Sequence, residues 1–191
     1  EAVCKVFENV NTGGVPLTVF ELVTATYATN EFDLRKDWEK CKKIIRAENE
    51  TLRTDLLDGI DEINFLTSVT LYTSYKNKVD GKSGTISCKK KDVLNLPYES
   101  YLENRDAVLY GYKIAREFLL QNEYVFRQRD LPYTTQLIPL SATCAYLGKK
   151  TCNEPNTKKI LERWYWCGIL GEMYGGANET RYANDIEDII D

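Results

Sequence analysis

The 191-residue chain contains no histidine. A Ser-His-Asp triad, a Cys-His dyad, an HNH nuclease centre and an HExxH metalloprotease helix all need an imidazole, so none can be assembled from this chain alone. Its six cysteines, at 4, 41, 88, 144, 152 and 167, include no CxxC pair. Lacking that spacing as well as histidine, the sequence nearly excludes zinc sites, and the placement of several cysteines on apolar helical faces predicts buried free thiols. A reducing cytoplasm is the location this cysteine usage implies. The Asn-Glu-Thr sequons at Asn49 and Asn178 would suit secretion, but such triplets arise easily by chance and no basic-then-apolar leader accompanies them.

Other absences narrow the reading further. No apolar run approaches the roughly 18 residues of a membrane span. Basic residues do not predominate: 25 Lys and Arg face 29 Asp and Glu, a formal charge of −4, so there is no global attraction to nucleic acid or anionic lipid. Strand signals are few and no internal repeat is evident. What remains is a chain 43% hydrophobic, with 13 Tyr and 3 Trp. At this length about 70% of the unfolded surface can be buried, enough for an aromatic-rich core. Glu1 opens within a periodic pattern without an initiator Met, which leads to the expectation of a fragment of a longer protein.

The most specific stretch spans residues 6–25, VFENVNTGGVPLTVFELVTA. Val3, Phe7 and Val10 recur at helical spacing, and Asn11, Thr12, Gly13 and Gly14 then supply residues that tolerate positive φ and stop the helix. Thr18 to Glu21 reads as a capping box, with Leu17 and Leu22 placed as a hydrophobic staple. Small side chains at Gly13 and Gly14 would admit a phosphate, so Asn11, Thr12, Gly13 and Gly14 are candidate nucleotide-proximal residues. No Lys-Ser or Lys-Thr follows, and a plain helix-to-helix corner explains the same glycines.

Helical periodicity continues downstream. Leu34, Trp38, Cys41 and Ile45 form one stripe of a charged helix starting near Asp33. Glu48, Glu50, Asp55, Asp58, Asp61 and Glu62 crowd a stretch that could attract a divalent cation, but calcium-loop spacing is missing and an acidic helix start explains them better. A helix is expected from about Asp58 to Tyr75. Residues 76–91 read as an exposed loop carrying Lys76, Lys78, Lys82, Lys89, Lys90 and Lys91, the one basic cluster. Lys89, Lys90 and Lys91 are candidate nucleic-acid contacts, set against simple solvation of a loop. A long helix is expected behind a cap at Asn104. Another contains Leu137, Leu140, Cys144 and Leu147, with Pro139 restarting or kinking it and Gly148 ending it. Residues 158–174, apolar on nearly every face, are expected to form the central helix. A short acidic helix or a stub is expected over 178–191. The fold expectation is mainly α, a bundle of about seven or eight helices with few or no strands.

VFENVNTGGVPLTVFEL, then LPYTTQLIPLSA at 131–142, then ERWYWCGILGEMYGGANETRYANDI at 162–186 together resemble the N-terminal domain of unknown function of GmrSD-type restriction proteins. The resemblance covers most of the chain. It implies a ParB- or sulfiredoxin-like nucleotidase region upstream with an Asp-Gly-Gln-Gln-Arg motif, then a helical region, and often an HNH nuclease domain last. On that basis residues 1–17 would be the C-terminal edge of the ParB-like domain and 18–191 the helical domain. The chain lacks both the Asp-Gly-Gln-Gln-Arg and HNH motifs, so no family activity is complete within it. The resemblance thus implies a non-catalytic fragment with no cofactor of its own; an NTP and a divalent metal belong to the full-length protein. Its partners would be the upstream nucleotidase-like and downstream nuclease domains, with DNA engaged through the full protein and no membrane involved. One expectation is that the segment couples nucleotide state to a nuclease in antiviral defence, by a packing shift of the Thr18-capped helix. The other is a nucleic-acid or protein interaction module using the lysine segment. Arg163, Trp164, Tyr174 and Arg181 match the family's last block without an assigned role; Arg181 is expected to pair with Asp185 one turn on.

Overall fold

The computed structural model describes residues 17–47, 54–176 and 178–191. Among these lie eight α-helices and no strand: α1 Val19–Ala28, α2 Leu34–Ile45, α3 Glu62–Val79, α4 Lys90–Leu94, α5 Tyr98–Gln121, α6 Leu137–Cys152, α7 Pro155–Leu170 and α8 Glu179–Ile190. The mainly α expectation holds. Asn11 to Gly14, and with them the candidate nucleotide loop, lie outside the described residues.

Local chemistry sets several helix starts. The Thr18 side chain accepts from the Glu21 amide at 3.2 Å while the Glu21 carboxylate accepts from the Thr18 amide at 2.8 Å, the reciprocal box that the sequence predicts. Leu17 and Leu22 join the same core. Asp33 caps α2 through the Lys36 amide at 3.0 Å, and the whole predicted stripe of Leu34, Trp38, Cys41 and Ile45 is buried. Asp61 caps α3 through the Asn64 amide at 2.7 Å. The start of α3 therefore falls after the expected Asp58, with Ile60 buried in the preceding turn.

The long helix α5 starts six residues before Asn104, at Tyr98. Asn104 is an interior residue, buried, donating to Ser100 O at 2.9 Å and Thr73 Oγ1 at 3.1 Å. Pro139 sits in the first turn of α6, where its missing N–H costs nothing, so it neither kinks nor restarts the helix. Gly148 breaks α6 at φ 73° and ψ 163°, and a last turn follows it to Cys152.

Helices α5 and α6 form the centre, flanked by α3; α2 packs on α5 and α8 on α6 and α3. The rings of Tyr27, Phe32, Tyr98 and Tyr101 pack with centroids 5.2–6.3 Å apart and tie α1 to the start of α5. The helix expected to be central is not. On α7 only Leu161, Tyr165 and Gly168 are buried, whereas Leu170 is 81% exposed and Ile160 and Trp166 are nearly half exposed. Composition made every face of this segment look apolar, but its packing uses one narrow stripe. Among the described residues no helix is long and apolar enough to cross a membrane.

Candidate anion-binding cleft

The segment between α3 and α4 is not one loop. Lys76 and Lys78 belong to the last turn of α3, and Lys89 is the N-cap of α4, with Lys90 and Lys91 in its first turn. Carboxylates take up half of the basic cluster. Lys76 Nζ lies 2.6 Å from Glu103 Oε1, Lys78 pairs with Glu187 on α8, and Lys82 lies 3.0 Å from Asp80. Glu103 correspondingly holds the Lys76 ammonium above its ordinary pKa. Lys76 and Lys78 fasten α3 to α5 and α8, while the Lys82 pair lies within the turn that follows α3.

Lys89 and Lys91 stand differently. Both are exposed, and neither forms an ion pair among the described residues. They line a cavity of about 320 Å³ between the 85–92 segment and the first turn of α8, which supplies Glu179 and Thr180. Lys90 does not line it. The α8 start carries no side-chain cap; the Asn178 side-chain amide nitrogen donates to Tyr174 O at 2.9 Å. An uncapped helix start with two ammonium groups nearby favours an anion. Two acids also border the cavity. Asp92 is occupied locally, accepting from Ser87 Oγ at 2.5 Å and the Lys89 amide at 3.0 Å; Glu179 remains as an opposing charge.

A second cavity of about 240 Å³ adjoins the first and shares Thr85, Ser87 and Asp92 with it. Its further wall presents Thr70, Thr73, Ser74 and Asn77 of α3. The partition between the two is held by Ser74, whose hydroxyl accepts from the Ser87 amide at 2.9 Å. The result is a lysine-bearing compartment beside a neutral compartment rich in hydroxyls and amides. The buried Cys88 ties this segment to α8, its thiol donating to Glu179 O at 3.6 Å, and burial pushes that thiol up to about 12.

The residues around Tyr174 and Arg181 form a bonded cluster. Tyr174 OH donates to Asp185 Oδ2 at 2.5 Å, and Arg181 Nη1 lies 3.8 Å from Asp185 Oδ1, the expected pairing. Arg181 also donates to the sulfur of Met173 at 2.9 Å. Burial raises the Asp185 carboxyl despite these partners. The acidic stretch 55–62 serves helix starts and turns, with Asp58 O accepting from Arg46 at 3.0 Å. Among the described residues no three Cys, Asp or Glu side chains converge as metal ligands. The Tyr174–Asp185 bond and the meeting of Lys89 and Lys91 with α8 escaped sequence reasoning. The former is hidden by a glycine-containing turn, and the latter joins segments about ninety residues apart. A scan of protein-family models, a search of curated proteins and a search of solved structures returned no match for the chain.

Proposed function

We propose that the chain is a non-catalytic helical module that binds a phosphate-bearing partner, DNA in the first instance, at the Lys89–Lys91 cleft. In the longer polypeptide implied by the GmrSD resemblance it couples an upstream nucleotidase-like domain to a downstream HNH nuclease in the cytoplasm. The observation that carries the binding reading is the placement of two ammonium groups, without an ion pair among the described residues, in one cavity against the uncapped start of α8. Coupling rests on the resemblance, with the Thr18-capped helix α1 as the element nearest the Asn11–Gly14 segment in sequence. Its hydrogen-bonded start gives that helix a defined position from which a packing shift could be read.

Replacing both lysines with glutamate tests the binding reading. Binding of the full chain to a short duplex, followed by fluorescence anisotropy over a salt series, is expected to weaken at least ~10-fold at low salt. The slope of log K against log salt should fall by about 2, as loss of two phosphate contacts requires. Lys82→Gln, which disturbs a lysine already neutralised by Asp80, should leave the slope unchanged. An unchanged slope in the double variant would remove the cleft from DNA binding.

A further inference from the structure

We propose that the Lys89–Lys91 cleft takes a free sugar monophosphate, its phosphate against the two lysines and its hydroxyls in the neutral compartment beside them, and that this ligand competes with DNA. The inference rests on the reading of Lys89 and Lys91 as a phosphate site and adds what the second compartment recognises. Neither cavity is large by itself. At about 240 and 320 Å³ they lie near the lower end of the roughly 300–1,000 Å³ usual for small-ligand sites, whereas together they fall well inside it. Thr85, which lines both, is exposed, so the rim between them opens to solvent.

Hydrogen bonds fix the segment that shapes both cavities. The Asn77 carbonyl accepts from the Lys82 and Ser83 amides at 2.8 and 3.1 Å, and the Ser83 hydroxyl donates to Thr85 O at 3.2 Å. These bonds occupy backbone groups and leave side-chain capacity along the cavity wall. Thr73 is 6% exposed; its oxygen accepts from the Asn104 side-chain amide at 3.1 Å, but its hydroxyl hydrogen has no acceptor among the described residues. An unspent buried donor is costly until a partner arrives. Asn77 is half-buried, and its side-chain amide makes no hydrogen bond among the described residues. Four residues apart on α3, the two share one face of the helix. A donor beside an amide that both donates and accepts suits neighbouring hydroxyls, which do the same.

Charge determines where the phosphate goes and what else the ligand carries. Lys89 and Lys91 line only the larger cavity, and no cation lines the smaller. Two carboxylates, Asp92 and Glu179, border the larger cavity with them and limit it to one phosphate. Asp92 belongs to the shared wall, where it repels a second anionic group and accepts from a hydroxyl. A bisphosphate is therefore disfavoured. No aromatic side chain lines either cavity, so a nucleobase finds nothing on which to stack. One phosphate, adjoining hydroxyls and no base together describe a sugar monophosphate.

Isothermal titration calorimetry of the full chain with ribose 5-phosphate, inorganic phosphate and ribose reads the two compartments separately. Ribose 5-phosphate is expected to bind at least ~10-fold more tightly than inorganic phosphate, the gain of about two added neutral hydrogen bonds. Ribose should not bind over the same concentration range. Asn77→Ala removes a side chain without a hydrogen bond of its own; it should bring ribose 5-phosphate down to the affinity of inorganic phosphate, leaving phosphate binding and the salt dependence of duplex binding unchanged. Exchanging both lysines for glutamate should abolish binding of both phosphate compounds, and ribose 5-phosphate should release a fluorescent duplex from the native chain. Ribose 5-phosphate binding no tighter than inorganic phosphate, or equally tight binding to the native chain and to Asn77→Ala, would overturn the sugar-phosphate assignment while the phosphate reading stands. If neither inorganic phosphate nor the duplex binds, the phosphate reading falls and this inference with it.

Discussion

Gly111→Ala is expected to destabilise the chain by about 3 kcal/mol or prevent folding altogether. A methyl group on Gly111 would lie 2.2 Å from the carbonyl oxygen of Ser141, 2.8 Å from Ala145 Cβ and 2.9 Å from the Ala145 amide nitrogen. Two of those three contacts are backbone, so no rotamer change relieves them. Helices α5 and α6 would have to separate at their closest approach, where Val108, Tyr112, Leu140, Ser141 and Cys144 have no exposed surface. Opening that seam loses close contacts along both helices. Alanine's better helix propensity offsets about 1 kcal/mol and does not reverse the sign. Gly84→Ala is the matched control, because nothing lies within 4 Å of the added carbon and the backbone needs no positive φ; it should change stability by less than about 0.5 kcal/mol. Urea denaturation followed by far-UV circular dichroism measures both. A loss below about 1 kcal/mol for Gly111→Ala would mean that the α5–α6 approach is looser than described.

That seam also shows what sequence can and cannot reveal. Periodicity placed Gly111 on the apolar face of α5 together with Ala107, Val108, Ile114, Ala115, Phe118 and Leu119, and all but the half-buried Ala107 are buried. The same reasoning identified Thr18 and Glu21 as a cap and all four residues of the α2 stripe, since each signal lies within one turn or one helix. It failed where an identical local signal has two physical origins. Asn104 looks like a helix cap because its amide seeks backbone carbonyls, and it does bond Ser100 O, but from the helix interior, with Thr73 of α3 as its other partner. Residues 158–174 look central because aromatic and aliphatic side chains surround the helix. Which of them are covered depends on α6 and α8, and that information is not contained in the segment. The cleft is harder still. Lys89 and Lys91 could be singled out as basic, yet only the return of α8 distinguishes them from Lys76 and Lys78, whose acidic partners are also remote in sequence.

Asp37→Ala should cost about 3 kcal/mol, because Asp37 is the buried charge on which α2 and α5 converge. Its Oδ2 accepts from Tyr101 OH at 2.7 Å and from the Cys41 thiol at 3.7 Å, while Oδ1 pairs with Arg105. Removing the carboxylate leaves the fully buried phenol of Tyr101 without an acceptor and Arg105 without its principal partner. Arg105 is a quarter exposed and also contacts Asp106 at 3.2 Å, which keeps the loss toward the lower end of the roughly 3–5 kcal/mol typical of a broken buried pair. Burial pushes the Tyr101 phenol well above its ordinary range, with Cys41 and Asp37 adding to the shift, so it remains a donor at any working pH. Tyr101→Phe keeps the ring packed against Tyr27 and Phe65 and removes only the donor; it should cost about 1.5–3 kcal/mol, the usual value of a hydrogen bond to a charged group. The double variant discriminates a network from independent contacts. If Asp37 and Tyr101 stabilise the same α2–α5 junction, their combined loss falls short of the sum of the single losses by at least about 0.5 kcal/mol. Strict additivity in urea denaturation would show that the 2.7 Å bond contributes nothing specific, and that Asp37 acts through Arg105 alone.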